Sequence, residues 1–163
     1  MSTLTVHNIQ DEWNIYTHLP YDTNWDIDSY KKVYTIKSIE HALCFLDLMN
    51  ESFIQNCMIF VMKDDINPIW EDERNKNGSC LSFKVYFTNV YLTWKHICLQ
   101  IISNTIYLKN GENIYDIING ITISPKTNFA IIKIWLSNNS ITNPKQFNNK
   151  FVNHNQCVIK KHS

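Results

Sequence analysis

The sequence holds only three glycines and one arginine, Arg74, and neither charge is in surplus. Three glycines exclude a glycine-rich phosphate loop. Fifteen Lys and Arg balance fifteen Asp and Glu, so the formal net charge is zero. That balance argues against affinity driven by a broad basic surface, and any nucleic-acid recognition must be local. No apolar run approaches the ~20 residues of a membrane span. No apolar stretch follows a basic start, so no signal peptide is expected. The five cysteines, Cys44, Cys57, Cys80, Cys98 and Cys157, are odd in number and form no C-x-x-C pair. The six histidines stand at no metal-binding spacing with them. A reduced, cytoplasmic protein is expected, with no membrane, metal or cofactor and no catalytic residue singled out.

What is present suits one globular domain, residues 1–163, with 44% hydrophobic and 18% charged residues. Period-two or β-branched runs predict strands at 13–19, 31–37, 57–62, 80–87, 117–124, 128–137 and 157–161. Ser38 is a candidate N-cap for an amphipathic helix over 39–50, and Asn89 for a second bearing Trp94, Ile97, Cys98, Ile101 and Ile102 on one face. A brief helix is expected around 144–152. Residues 64–78 are polar, contain Pro68 and Gly78, and read as a long loop. Most links between strands are too short for parallel crossovers. The prediction is an α+β domain: a curved antiparallel sheet, two to three helices on its convex face, the other face free for a ligand.

Five tryptophans are many for this length. Trp13 and Trp94 lie in apolar surroundings and read as core. Trp25 and Trp70 lie in polar stretches, where an indole costs apolar exposure unless something covers it. Each alone reads equally as folding back on the domain. Together, with Glu71 directly after Trp70, they suggest a binding clamp.

The segment Ile66-Asn67-Pro68-Ile69-Trp70-Glu71-Asp72-Glu73-Arg74-Asn75-Lys76-Asn77-Gly78 closely resembles the signature loop of the translation initiation factor 4E family, the mRNA cap-binding proteins. His7 stands six residues before Trp13, Trp25 lies where that family places its first cap-stacking Trp, and Gly120 through Trp135 match its paired strands. The resemblance implies that Trp25 and Trp70 sandwich 7-methylguanine. N7-methylation makes the base cationic, and each indole face then gains about 0.5–2 kcal/mol of cation–π attraction. It implies that Glu71 accepts hydrogen bonds from the guanine N1–H and N2–H and that Trp135 meets the N7-methyl side.

At the phosphate end the sequence departs from the family pattern. Positions that are basic in the family align with Cys80, Lys126 and Ile131, so only Lys126 keeps a charge there. Lys133 lies two residues before Trp135 on one strand and so faces the same way. It reads either as a replacement phosphate ligand or as a solvent-facing lysine. The phosphates are therefore expected to contribute less than in ordinary members.

The helical face also departs. The resemblance implies a partner-peptide site at His7, Asn8, Ile39, Leu43, Lys95 and Leu99, where a scaffold of the initiation factor 4G type would dock. Leu43 replaces an exposed Trp, removing a large anchor. The implied partner set is capped mRNA and such a scaffold, with a monomeric protein. Three roles follow: recruiting mRNA for initiation, sequestering caps without a scaffold, or acting as an interaction module with weakened cap binding.

Overall fold

The computed structural model describes residues 5–150, 152 and 154–162. All seven predicted strands are present: β1 (Asn8–His18), β2 (Lys31–Ser38), β3 (Met58–Lys63), β4 (Ser79–Tyr86), β5 (Ile118–Pro125), β6 (Phe129–Leu136) and β7 (Cys157–Lys161). They form one antiparallel sheet in the order β2-β1-β3-β5-β6-β4-β7. β1 starts earlier than its apolar pattern suggests. Its polar opening is recruited by pairing, with Asn8 opposite Ser38.

Three helices cover one face: α1 (Ile39–Leu48), α2 (Glu51–Asn56) and α3 (Phe87–Ile102). Ser38 caps α1, its hydroxyl accepting from the His41 N–H at 3.1 Å. The expected helix over 39–50 ends two residues early. Met49 and Asn50 turn extended, and the Asn50 side chain caps α2 by accepting from Phe53 N–H at 2.9 Å. α3 begins at Phe87 rather than after Asn89. Tyr86 holds its cap position without a side-chain bond, and Asn89 lies inside the first turn. Among the described residues, the expected helix at 144–152 reduces to a 3-10 turn, Pro144–Gln146, because the Asn143 capping box closes at once and Phe147 is already extended.

Strand alternation divides the sheet cleanly. Trp13, Ile15, Ile59, Val61, Leu81, Phe83, Ile121, Ile123, Ile132 and Ile134 are buried beneath the helices. They meet Trp94, Ile97, Cys98 and Ile101 of α3. Trp13 and Trp94 are fully buried, as expected. Residues one step away on each strand point to the uncovered face, and there Phe60, Met62, Ile66 and Trp135 form a second, smaller cluster.

Candidate functional site

A cleft of about 400 Å³ opens on the uncovered face. Its walls include Trp25, Trp70, Glu71, Trp135, Lys126 and Lys133, so the structure brings together every residue expected at the cap. Tyr30, Met58, Phe60, Pro68, Ile69, Thr122 and Ser124 complete it.

The loop carrying Trp70 and Glu71 follows β3 and is wired from within. Both Asp72 carboxylate oxygens accept backbone N–H groups, from Asn67 at 2.9 Å and Arg74 at 3.0 Å. Asn75 is fully buried. Its amide donates to the carbonyls of Asn67 (3.0 Å) and Ile69 (2.8 Å). Its side-chain oxygen accepts from Asn119 Nδ2 at 2.9 Å. Both ends of the Asn75 amide thus have partners, which is what a buried side chain requires. Gly78 closes the loop under the β6 backbone, and a Cβ there would collide with the Leu136 carbonyl.

Trp70 and Trp25 each leave about half their surface open, at 49% and 51%. Each is backed by an imidazole that does not line the cleft. His18 stacks on Trp25 at 4.3 Å between centroids and 7° between planes. His162 stacks on Trp70 at 5.6 Å and 13°, and meets Trp135 edge-on at 5.3 Å. His18 Nδ1 lies 2.9 Å from the Leu19 carbonyl and Nε2 lies 2.7 Å from that of Asn24. The ring therefore bridges the loop that presents Trp25. His162 Nδ1 lies 2.8 Å from the Asn75 carbonyl, and its buried Nε2 has no partner. Burial lowers the His162 pKa, and Lys133 adds to the effect. Burial and nearby Glu71 push the Tyr30 hydroxyl up to about 12, so it is a neutral donor in the cleft wall.

At the other end, Thr122 is paired with Lys133 across β5 and β6. The Trp135 Nε1–H donates to the Thr122 hydroxyl at 3.4 Å. Sequence reasoning missed Lys160. In the register, Trp135, Cys80 and Lys160 stand side by side on β6, β4 and β7, facing the same way. Burial raises the Cys80 pKa, while Lys133 and Lys160 pull it down. A cation thus stands beside Cys80, where the sequence reading expected one to be missing. No spacing in the chain could reveal this; only the pairing of β4 with β7 does.

On the helical face, Ile39 and Leu43 lie on α1 and Lys95 and Leu99 on α3, and the Ile39 N–H donates to the His7 carbonyl at 3.0 Å. His7 Nδ1 lies 2.5 Å from Glu40, and its backbone N–H also reaches that carboxylate. The His7 ring holds the Glu40 pKa down at about 2. Lys95 reaches from α3 to Asp47 of α1 at 2.5 Å. Leu43 is exposed, while Ile39 and Leu99 are half-buried. Asn8 opens β1 beside them.

Among the described residues, no cluster of His, Cys, Asp and Glu could hold a metal ion, and no helix is long and apolar enough to cross a membrane.

The family model for eukaryotic initiation factor 4E matches residues 8–160. A eukaryotic translation initiation factor 4E homolog of Acanthamoeba polyphaga mimivirus is 27% identical over 142 residues, covering 74% of this chain and 52% of the relative. The eukaryotic translation initiation factor 4E of Dictyostelium discoideum is 36% identical over 85 residues, 46% of this chain and 32% of the relative. The chain thus spans about half the length, or less, of these curated relatives. Among solved structures, a schistosome eIF4E complexed with m7GpppA and 4E-BP superimposes with a TM-score of 0.71 at 24% identity, over 83% of this chain and 74% of that one. Ascaris suum eIF4E-3 with m7G cap gives 0.70 at 17%, over 83% and 76%. These two show a shared fold.

Proposed function

The chain belongs to the eukaryotic initiation factor 4E family, and on that premise we propose that it binds the 7-methylguanosine cap of mRNA in the cleft. The observation that carries this reading is the convergence of two half-open indoles, Glu71 and a lysine-lined far end in one cavity. In it, Trp25 and Trp70 stack on the two faces of the cationic base. Two indoles suit a delocalised cation better than a neutral purine, so methylation is selected. Glu71 takes the two adjacent guanine N–H groups with one carboxylate, a charge-assisted pair that adenine cannot offer. Trp135, held by Thr122, closes the floor on the methyl side. Lys126 and Lys133 meet the phosphates, with Lys160 in support.

The protein then delivers capped mRNA to a scaffold of the initiation factor 4G type through His7, Ile39, Leu43, Lys95 and Leu99, and so promotes translation initiation in the cytoplasm. Leu43 favours a second reading, in which caps are sequestered without a scaffold. The deciding contact there is a leucine, a smaller anchor than the family's tryptophan. Capture on immobilised cap with the scaffold co-purifying supports the first role, and capture without it supports the second.

Quenching of intrinsic Trp fluorescence tests the cap reading. 7-Methyl-GTP is expected to bind at least tenfold tighter than GTP, and Trp70→Ala to weaken it by about tenfold or more. Equal binding of the two nucleotides would overturn it.

A further inference from the structure

The zero net charge conceals a division. Residues 1–73 carry 13 acids against 4 lysines, while residues 74–163 carry 11 basic residues against 2 acids. The sheet divides in the same place, with β2, β1 and β3 on one side and β5, β6, β4 and β7 on the other, although the acids of the first part lie mostly outside its strands, which hold only Asp11 and Glu12. The last four strands contain no Asp or Glu at all.

The uncovered face of these strands continues past the cleft. Along β6, Trp135 is followed on the same side by Lys133, Ile131 and Phe129, about 20 Å at the usual strand rise. Opposite them on β4 stand Ser82, Lys84 and Tyr86. The Lys84 ammonium lies 4.1 Å from the Phe129 ring centre and 4.7 Å from that of Tyr86. Tyr86 is half exposed. On β7, Val158 and Lys160 flank Ser82 and Cys80, and Val158 is 52% exposed. A solvated sheet face ordinarily mixes both charges. This one sets Lys84 against two rings, Tyr86 half exposed and Phe129 partly buried, the combination that tracks a single-stranded nucleic acid: cations for the phosphates, rings for the bases.

Direction follows from the cleft. Glu71, the guanine reader, is at one end. Lys126 sits at the β5–β6 turn, where its N–H donates to the Phe129 carbonyl at 2.7 Å. We propose that the uncovered face of β4, β6 and β7 binds the RNA nucleotides that follow the cap, with Lys84 on their phosphates and Tyr86 and Phe129 beneath their bases. The assignment rests on the cap reading for its starting point. It rests on its own residues for the track.

The test compares 7-methyl-GTP with a short capped oligoribonucleotide on the wild type, Lys84→Glu and Val158→Glu. The oligonucleotide is expected to bind at least tenfold tighter than 7-methyl-GTP, and both variants to remove that advantage while leaving 7-methyl-GTP binding unchanged. Its affinity should fall with salt more steeply than that of the nucleotide, by about 0.7 in logarithmic slope per added phosphate contact. Lys84→Arg should retain the advantage. No gain from the RNA, or a gain that survives both charge changes, overturns the proposal. If 7-methyl-GTP itself fails to bind, the cap reading falls, and the uncapped oligoribonucleotide decides the track. Salt-dependent binding lost in Lys84→Glu supports it, and no binding overturns it. Binding to an immobilised acidic peptide equal to that of the RNA also overturns it.

Discussion

The two tryptophans that open onto the cleft are equally exposed but very differently supported. Trp70 stands on a loop tied by Asp72, Asn75, Asn119 and His162, residues from three separate parts of the chain. Trp25 stands on a loop bridged by one ring, His18, touching two carbonyls. One side is a network drawn from distant parts of the chain, and the other is a set of local turns, in which Asp22 and Asn24 accept from the Asn24 and Asp26 N–H groups, tied back to β1 through His18. A guest base would therefore meet one preset wall and one adjustable wall.

The largest expected effect lies on the networked side. Asn75→Leu removes the side-chain donor to the carbonyls of Asn67 and Ile69 and one of the two acceptors of the Asn119 amide, which keeps the Arg74 carbonyl. At about 1–3 kcal/mol for each buried group left unpaired, it should lower unfolding stability by several kcal/mol. Urea denaturation measures this, and a loss below about 1 kcal/mol would show that the network is redundant.

His18→Ala is next. It removes both the stack and the bridge, and about 1–3 kcal/mol of stability is expected to go. Titration with 7-methyl-GTP should show a loss of several fold. His18→Phe sharpens the comparison, since it keeps a ring against Trp25 and removes only the bridge. Its stability should fall between the other two. If it matches His18→Ala, the carbonyl contacts hold the loop and the stack adds little.

The smallest effect is one of pH. Burial sets the His162 pKa below its ordinary 6.5, so the unfolded chain takes up the proton first as pH falls. The stability due to neutral His162 is present above about pH 6.5 and is lost as pH drops through the window beneath it. Thermal melts across that range should show the wild type losing ground relative to His162→Phe, which has nothing to protonate.

The strands were legible because alternation and β-branching are local signals, and the Ser38 cap was legible for the same reason. α2 was not, since six residues make too short a period and its start depends on Asn50 turning extended. The Asn89 cap failed because α3 is fixed by burial of Val90 and Trp94 rather than by a polar side chain at its start. In the site, the residues on the signature loop could be read directly from the resemblance. His18, His162 and Lys160 could not. His162 and Lys160 act through a ring stack and a strand register with residues far along the chain, and His18 through a stack on Trp25 seven residues on, and none of these contacts leaves a mark on spacing.

The division of charge between the two parts of the chain has a practical side. With an isoelectric point near 7.0, this protein would be expected to slip past both kinds of ion-exchange resin at neutral pH. A molecule whose acids and bases gather in different parts has a dipole instead. It presents one edge to a positive matrix and the other to a negative one, and is retarded by both. The same dipole would orient it in the field of any polyanion before contact.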